Sequence, residues 1–500
     1  MNYSQEQINA FNAYIQRINT FLTGPGGTGK TALIKHIQKD AYRKGFNIQV
    51  CALTGCAAVL LECKAKTLHS WAGIGLGNGT VEQLVNKIMK NRFLKNNWKD
   101  TDILIVDEVS MMSQKLFELL DAIGKTVRKC SKPFGGIQLI FSGDFYQLPP
   151  VGDRDDIETV RFCFESPLWF QTFRRENHIQ LTKIFRQSDP IYQKILNQIR
   201  EGKLKRSSNE ALLNNVNRSI PEDCIVRPTK LFPTRNKVDN VNITEMNKLK
   251  TDELEFKLKY HSDLEMTATE LIKRRQFTRE QIQTELLYLK GNLRCDEIVK
   301  LKIGSQVMCI INIELENGAT LCNGSQGVIT RLSEQGLPVV RFNSTSTMSN
   351  GTAFETTMGY HVWSSENIPG IGISQLPLIL AWALTIHKAQ GATLDIAEID
   401  AGSGIFECGQ TYVALSRVKS LEGLYLTSFD ASKIRVSRKV QEFYNSLPKP
   451  DTEQLSTIAT TDVVVATTAD VVAIPIVIAT PILTHCTAVE ELGFDEYTEL

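Results

Sequence analysis

A glycine-rich segment near the start of the chain has the residue types and spacing of a phosphate-binding loop. Residues 24–31 read Gly24-Pro25-Gly26-Gly27-Thr28-Gly29-Lys30-Thr31 and fit the pattern G-x-x-x-x-G-K-[ST]. In such a loop the backbone N–H groups surround nucleotide phosphates. The lysine, Lys30, places its charge on the β- and γ-phosphates, and the hydroxyl of Thr31 ligates Mg²⁺. The segment alone predicts nucleotide binding.

Two carboxylates and an amide supply further parts of a hydrolytic site. The apolar run 103–106 ends in Asp107 and Glu108. Asp107 is expected to hold Mg²⁺, and Glu108 to orient or deprotonate the attacking water. A second apolar run leads to Gln147, a candidate sensor of the γ-phosphate. The pattern predicts nucleotide hydrolysis.

Two polar segments late in the chain extend this set. They read His387-Lys388-Ala389-Gln390-Gly391 and Ala414-Leu415-Ser416-Arg417. Arg417 and Arg186 are the cations available from the second half of the chain to stabilise transition-state charge. His387 and Lys388 follow an apolar strand, where a loop can face ligand, and together with the neighbouring motifs this position favours contact with DNA or nucleotide. Solvated charges at a capped strand end are the alternative.

The elements that must position these residues alternate between strand and helix. A strand is predicted over 18–23, a helix over 32–44, and further strands over 47–54, 103–106 and 137–141. This alternation implies a parallel sheet with crossover helices. A second α/β region resumes around 179–181 and 231–234 and returns at 378–386. It is interrupted by a charged, helical segment at 244–297 and by short strands at 317–372.

Composition limits the classes of protein that fit. The 500 residues contain 56 Lys+Arg and 55 Asp+Glu, so the net charge of +1 supplies no global field for nucleic acid. Any phosphate-binding surface must be local. One candidate is the basic stretch of Lys87, Lys90, Arg92, Lys95 and Lys99, although a solvated helix face is the commoner explanation. Phe145, Trp71 and Trp382 are candidates for stacking on bases.

Cysteine usage and the first residues indicate the compartment. The 11 cysteines form no C-x-x-C pair, which favours free thiols in a reducing environment over a zinc site or a disulfide framework. No secretory signal pattern begins the chain. A soluble, intracellular protein is expected.

Residues 451–500 form a segment of different composition. Residues 459–472 nearly repeat a seven-residue unit, which predicts a low-complexity, disordered tail. The apolar run 463–483 raises the alternative of a membrane anchor, but Asp470, Pro475 and Pro481 disfavour it. The end, 490–497, mixes acids with aromatics and is a candidate docking segment for a protein partner. No membrane association is expected.

Taken together, the motifs resemble those of the superfamily-one DNA helicases of the Pif (petite integration frequency) group, relatives of RecD and of the phage helicase Dda. The resemblance covers about residues 3–429. It is carried by the loop and by segments in the family's order, namely Tyr3-Ser4-Gln5-Glu6-Gln7, Leu53-Thr54-Gly55-Cys56-Ala57-Ala58, Thr67-Leu68-His69-Ser70, Phe145-Tyr146-Gln147-Leu148-Pro149-Pro150, Ile184-Phe185-Arg186-Gln187, Phe232-Pro233-Thr234-Arg235-Asn236, Leu301-Lys302-Ile303-Gly304-Ser305-Gln306-Val307-Met308, Cys322-Asn323-Gly324-Ser325-Gln326-Gly327 and Tyr412-Val413-Ala414-Leu415-Ser416-Arg417.

The resemblance implies an α/β fold of two RecA-like P-loop NTPase lobes with parallel sheets and a small β-barrel insertion in the second lobe. The expected domains are 1–172, with a wedge near 70–80, and 173–450, with the helical segment at 244–297 and the barrel at about 310–377. The tail, 451–500, follows. ATP would bind between the lobes.

The resemblance also implies site residues. Gln7 is expected to contact adenine, Gly391 belongs to the expected nucleotide-binding set with residues 24–31, and the cofactors are ATP and Mg²⁺. Thr54 and His69 are expected to contact DNA together with Phe145, His387 and Lys388. Catalysis is expected from Lys30, Asp107, Glu108, Gln147, Arg186 and Arg417, with Thr31 and Asp107 as metal ligands.

The implied activity is ATP-dependent, 5′-to-3′ unwinding of DNA in repair, recombination, telomere maintenance or replication. Single-stranded DNA and duplex junctions are the implied partners. Three alternatives are open: a RecD-like subunit of a nuclease–helicase complex, a DNA-dependent ATPase without unwinding, and a nucleotide-dependent switch. The switch does not explain the two late segments, and no nuclease carboxylate cluster is evident. The oligomeric state is open.

Overall fold

The computed structural model describes residues 3–54, 57–58, 61, 63, 65–75, 77, 79–153, 155–220, 227–291, 293, 295–314, 320–321, 323–342, 354–365 and 368–448. The predicted tail, 451–500, lies outside these ranges. Residues 55 and 56 of the segment 53–58, one of those that carry the family resemblance, and parts of the predicted barrel also lie outside them. The predictions for these residues stay predictions.

The first half of the chain builds a six-stranded parallel sheet. Its order is β3-β2-β4-β5-β1-β6, and every neighbouring pair is parallel. The strands predicted over 18–23, 47–54, 103–106 and 137–141 are confirmed. The strands are β1 (Thr20–Thr23), β2 (Ile48–Ala52), β3 (Lys66–Thr67), β4 (Ile103–Asp107), β5 (Gln138–Gly143) and β6 (His178–Gln180).

Helices cover this sheet and complete the first α/β unit. The first helix begins with a capping box, in which the Ser4 hydroxyl accepts from Gln7 N–H and the Gln7 side chain accepts from Ser4 N–H. The helix predicted over 32–44 is confirmed as the second one. The helices are α1 (Gln5–Ile15), α2 (Lys30–Arg43), α3 (Leu68–Ala72), α4 (Val81–Lys90), α5 (Arg92–Asp100), α6 (Gln114–Arg128), α7 (Ile157–Val160) and α8 (Trp169–Thr172).

The boundary predicted after residue 172 is wrong, because β6 pairs in parallel with β1 and thus belongs to the first sheet. The run 179–181, predicted to open the second α/β region, is therefore the last strand of the first. The second unit begins beyond it with α9 (Pro190–Arg200), α10 (Arg206–Leu213), β7 (Thr229–Phe232) and α11 (Arg235–Lys248).

The segment 244–297 is only partly helical. Two strands precede its helices, because Leu254, Phe256 and Leu258 alternate with charged residues, a period of two that suits a strand. The charge of this segment had hidden the alternation. It contains β8 (Leu254–Lys257), β9 (Lys259–His261), α12 (Ala268–Arg274) and α13 (Arg279–Gly291), and β10 (Ile298–Leu301) then pairs with β8.

A second insertion is made of short strands, as predicted for 317–372, and these strands pair antiparallel. Five of them form a sheet in the order β16-β15-β14-β11-β19, and β17-β18-β9 form another. Closure of these strands into a barrel stays a prediction. They are β11 (Gln306–Cys309), β12 (Ile313–Glu314), β13 (Thr320–Leu321), β14 (Gln326–Leu332), β15 (Pro338–Phe342), β16 (Phe354–Thr357), β17 (His361–Ser364), β18 (Gly372–Gln375) and β19 (Leu378–Leu380).

The chain then returns to the second α/β unit. The single strand predicted over 378–386 is two strands: β19 pairs antiparallel within the insertion, whereas β20 (Ala383–Thr385) pairs in parallel with β7. Strands β20 and β7 form a four-stranded parallel sheet with β21 (Ala397–Ala401) and β22 (Leu424–Phe429), in the order β20-β7-β21-β22. The last elements are α14 (Gln410–Leu415), between β21 and β22, and α15 (Arg438–Ser446).

Helix α15 packs against the first unit, although it follows the second unit in sequence. Its Phe443 ring lies 4.4 Å from Phe164 and 5.4 Å from Phe145, centroid to centroid, in a cluster that also contains Phe21 and Trp169. The chain therefore passes between the two units twice. Among the described residues, the helices are too short or too polar to span a bilayer.

Phe443→Ala should lower the free energy of unfolding by about 3–5 kcal/mol, because it removes an aromatic ring that is only 5% exposed from a packed cluster. Urea denaturation followed by far-UV circular dichroism measures the change. Phe406→Ala is the control, since Phe406 is 55% exposed and its loss should change stability by at most about 0.5 kcal/mol. Equal effects of the two substitutions would contradict the packing of α15 on the first unit.

Candidate active site

The glycine-rich loop joins β1 to the start of α2 and is held closed by its own polar contacts. Lys30 Nζ donates to the carbonyl oxygens of Gly24 at 2.7 Å and Pro25 at 3.0 Å, and Thr28 Oγ1 also donates to Pro25 at 2.9 Å. Gly27 has φ +84°, and a Cβ on it would lie 2.5 Å from Arg186 Cβ. The backbone of the loop therefore packs closely against Arg186, and a side chain at position 27 would clash with it.

The two carboxylates predicted for catalysis end strand β4 beside this loop. Burial raises the pKa of Asp107, and Lys30 partly opposes that rise. Burial and the neighbouring Asp107 raise the pKa of Glu108 to about 7. Glu108 has φ +56°, an uncommon conformation for a residue other than glycine. Gln390 Nε2 donates to Glu108 Oε2 at 3.3 Å, which links this carboxylate to the late polar segment.

Two arginines from beyond the first sheet face the loop. A Cβ on Gly26 would lie 3.5 Å from Arg186 Nη1 and 3.6 Å from Arg417 Nη2. Burial, together with repulsion from Arg186, lowers the pKa of Arg417 to about 9. Burial likewise lowers the pKa of Lys30. Buried positive charge therefore surrounds the loop, which makes the site attractive to an anion.

The predicted adenine contact lies at the other end of the loop. The Gln7 side chain is buried and donates from Nε2 to the Thr28 carbonyl at 3.4 Å. The Phe185 ring lies close by, because a Cβ on Gly29 would be 3.7 Å from its edge, and it is 49% exposed. An exposed aromatic ring next to an amide can hold a flat base. Phe185 was not among the predicted site residues, although it precedes Arg186 directly.

A cleft of about 750 Å³ brings most of the predicted residues together. Its lining includes loop residues 26–31, Thr54, Asp107, Glu108, Gln147, Arg186, His387, Lys388, Gly391 and Arg417. His387 and Lys388, predicted to contact DNA, thus line the same cleft as the loop. His69 instead lines a neighbouring cavity of about 430 Å³, and the two cavities share Thr54 and Met111 in their linings.

The expectation that Phe145 contacts DNA is wrong. Its side chain is 1% exposed and packs in the aromatic cluster around Phe443, so no base can reach it. Trp71 is also 1% exposed and packs against Trp98 at 4.6 Å. Both aromatic rings are core residues, because their neighbours on the sheet and helices are themselves apolar.

A buried polar network missed by the sequence analysis joins the two α/β units. Asp144 follows β5 and accepts two hydrogen bonds from Arg200 of α9, from Nε and Nη2, each at 2.8 Å. Tyr444 of α15 lies between them and Thr23, with its hydroxyl 2.6 Å from Thr23 Oγ1 and 3.3 Å from Asp144 Oδ1. The guanidinium of Arg200 also lies 4.5 Å above the Tyr146 ring.

This network reaches both sides of the cleft. Gly26 N–H donates to the Tyr412 hydroxyl of α14 at 2.9 Å, and burial raises the pKa of Tyr412 to about 12. Asp144 begins the turn that carries Gln147, whose N–H donates to the Asp144 carbonyl at 2.8 Å. Asp144 could be suspected from its place before Gln147. No local signal identifies Arg200, since its partner lies 56 residues away.

Comparison with known proteins gives consistent matches. Residues 2–210 match the family model for a PIF1-like helicase, and residues 289–332 match that for the 2B domain of DNA helicase Pif1. The chain is 33% identical to the ATP-dependent DNA helicase RRM3 of Saccharomyces cerevisiae, over 89% of this chain and 67% of the yeast protein.

Two solved structures are similar to the whole described region. The crystal structure of Pif1 helicase from Candida albicans has a TM-score of 0.68 and 33% identity, and covers 90% of this chain and 100% of that one. Pif1 helicase from Bacteroides in complex with ADP-AlF3 and single-stranded DNA has a TM-score of 0.56 and 26% identity, and covers 89% and 97%. The chain spans between 60% and 67% of the length of the helicases from Saccharomyces cerevisiae, Emericella nidulans and Danio rerio.

Asp144→Asn should lower the free energy of unfolding by about 3–5 kcal/mol, because it leaves the buried Arg200 charge without its counter-ion. Urea denaturation measures the loss. Glu201→Gln is the control: it breaks an exposed ion pair with Lys203 that spans 3.3 Å, and should cost at most about 1 kcal/mol. A loss for Asp144→Asn as small as that of the control would show that the buried pair does not hold the units together.

Proposed function

The chain belongs to the PIF1-like helicase family, and on that premise we propose that it couples ATP hydrolysis to 5′-to-3′ movement along single-stranded DNA and to the opening of duplex ahead. Its fold is the α/β, RecA-like fold of that family. The similar Bacteroides helicase was solved with a nucleotide analogue and single-stranded DNA, which supports the same two ligands here.

The observation that carries the proposal is the cleft with cations on both sides. Lys30 comes from the first α/β unit, whereas Arg417 comes from the second and is 2% exposed. A triphosphate bound between Lys30 and Arg417 would supply negative charge to these cations. It would also reduce the electrostatic repulsion between Arg186 and Arg417. ATP binding would thereby favour the closed arrangement of the two units.

The residues beside the loop suit Mg²⁺. Thr31 and Asp107 both line the cleft and offer a hydroxyl and a carboxylate oxygen, the hard ligands that Mg²⁺ prefers. The raised pKa of Asp107 reflects a buried negative charge that a cation would stabilise. Bound there, the ion would neutralise charge on the β- and γ-phosphates.

Hydrolysis follows from the remaining residues. Phosphate oxygens would take Lys30 Nζ from the carbonyls of Gly24 and Pro25 that it now contacts. Glu108 accepts a proton from the attacking water. The water oxygen bonds to the γ-phosphorus as the bond between that phosphorus and the bridging β-phosphate oxygen breaks, which releases ADP. Arg186 and Arg417 stabilise the negative charge on the γ-phosphoryl group while it is transferred to water.

Movement on DNA would use residues that lie next to the nucleotide. Thr54, His387 and Lys388 line the nucleotide cleft, and His69 lies in the adjoining cavity with Thr54. Gln147 shares the cleft and is anchored to Asp144, which contacts the second unit through Arg200. A change at the γ-phosphate can therefore alter the spacing of DNA contacts on the two units.

We extend the proposal to the finer assignments. The two α/β units act as the two lobes, the antiparallel insertion closes into a small barrel, and the acidic, aromatic end of the tail docks a protein partner. The pathway would be repair, recombination, telomere maintenance or replication.

Glu108→Gln should bind ATP with nearly unchanged affinity and hydrolyse it about 10²–10⁴-fold more slowly, because it keeps the shape of the side chain and loses its basic oxygen. Single-turnover hydrolysis in the presence of single-stranded DNA measures the loss. Glu334→Gln, on an exposed turn, is the control and should hydrolyse normally. Normal turnover by Glu108→Gln would mean that another group is the base.

Unwinding should require a 5′ single-stranded tail. The measurement compares ATP-dependent strand separation on matched duplexes with a 5′ or a 3′ overhang, and Lys30→Ala is the inactive control. Opening of only the 3′-tailed duplex would overturn the polarity. DNA-stimulated hydrolysis without any opening would identify a translocase or a subunit that needs a partner.

A further inference from the structure

Two basic segments that are far apart in sequence meet on one surface. The Phe93 ring of α5 contacts the Phe277 ring, which follows α12, at 6.4 Å in an edge-to-face arrangement. Residues 273–277 form a tight turn, since Gln276 N–H donates to the Lys273 carbonyl and Phe277 N–H to the Arg274 carbonyl. This contact places the basic end of α12 beside the start of α5, which follows α4 directly in the chain.

Both segments carry a local excess of positive charge in a chain of net charge +1. Residues 81–100 contain five lysines and arginines against two acids, and residues 268–275 contain three against one. Glu270, the acid of the second segment, is engaged with Thr267, whose N–H it accepts at 2.8 Å. We call basic face the six cations Lys87, Lys90, Arg92, Lys273, Arg274 and Arg275.

The side chains of the basic face are available to a ligand. Arg274 is partly buried, and the other five are exposed. Within the described part of the chain, no ion pair involves any of the six, whereas exposed lysines elsewhere, such as Lys248 and Lys300, are paired with acids. Cations that make no ion pair and that come from neighbouring segments suit a polyanion whose charges are spaced along a line.

The basic face adjoins the residues predicted to contact single-stranded DNA. Thr67 is the N-cap of α3, which carries His69, and its N–H donates to the Tyr288 hydroxyl of α13 at 3.3 Å. The segment 70–80 that leads from α3 to α4 is the predicted wedge, and Gly75 within it lies against Lys87, whose Nζ would be 3.9 Å from a Cβ there. The predicted wedge therefore lies beside α4, one of the helices that carry the basic face.

We propose that the basic face binds the phosphate backbone of the duplex just ahead of the point of strand separation. The proposal rests on the helicase function proposed above. The face is built jointly by the first α/β unit and by the helical insertion, so a duplex lying on it bridges the two. Helix α12 lies between the two segments matched by the family models, 2–210 and 289–332.

The test uses counterion release. A protein that contacts Z phosphates of duplex DNA shows a slope of about −0.9Z in the logarithm of its binding constant against the logarithm of salt concentration. Fluorescence anisotropy on the full chain would measure this slope between about 50 and 200 mM NaCl. The probes are a duplex with a 5′ single-stranded tail and the same tail alone.

Two variants each reverse one half of the face: Lys90→Glu with Arg92→Glu, and Lys273→Glu with Arg275→Glu. Each should reduce the slope for the tailed duplex by about 1–2 and leave the slope for the tail alone unchanged. Lys39→Glu with Arg43→Glu is the matched control, since both residues are exposed on α2, and neither slope should change. Hydrolysis of ATP stimulated by the tail alone should be normal in all variants.

Three results would overturn the proposal. Equal weakening on both probes would show that the face binds single-stranded DNA, and an effect of only one pair would show that no joint surface exists. Unchanged binding by both pairs would make the cations a solvated surface. Failure of the wild-type chain to hydrolyse ATP with the tail would instead refute the proposed function, and the binding measurement would still report on the face.

Discussion

The burial of positive charge between two α/β units is the constraint on which the rest of the site depends. An ion removed from water without a full counter-charge costs several kcal/mol. Arg417 shows this cost directly, since burial and the nearby Arg186 lower its pKa to about 9. Glu108 offsets part of the charge and raises the pKa of Arg417 in return. The cleft therefore holds positive charge that its carboxylates only partly offset, and a bound anion would supply the missing negative charge.

The Asp144–Arg200 ion pair differs from the cleft, because its buried charges balance each other. Both groups are almost fully buried, and the two hydrogen bonds between them satisfy the charge of each. Tyr444 and Tyr146 enclose the pair with stacked rings 4.8 Å apart. The charges of the Asp144–Arg200 contact are therefore balanced without a ligand, whereas the positive charge around Arg417 in the cleft is not. The buried pair therefore joins the units whether or not the cleft is occupied.

Sequence alone predicted the parts of this arrangement that are local. The strands before residues 24–31, Asp107 and Gln147 are apolar runs that end in polar residues, and the carboxyl ends of parallel strands meet at one edge of a sheet. Phe145 was misjudged because its exposure depends on α15, which arrives some 300 residues later. The strands at 254–261 were hidden by their charge. Arg200 carried no signal, since an ion pair is recognisable only when its partner's position in space is known.

The return of α15 to the first unit has a consequence for the synthesis of the chain. Val440, Phe443 and Leu447 belong to the same apolar cluster as Phe21 and Leu104. The first unit therefore leaves the ribosome with part of its aromatic core uncovered and keeps it so until the second unit and both insertions have been made. An exposed apolar surface of this kind is prone to aggregation during synthesis. The order of translation makes this domain, although first to be synthesised, the last to be completed.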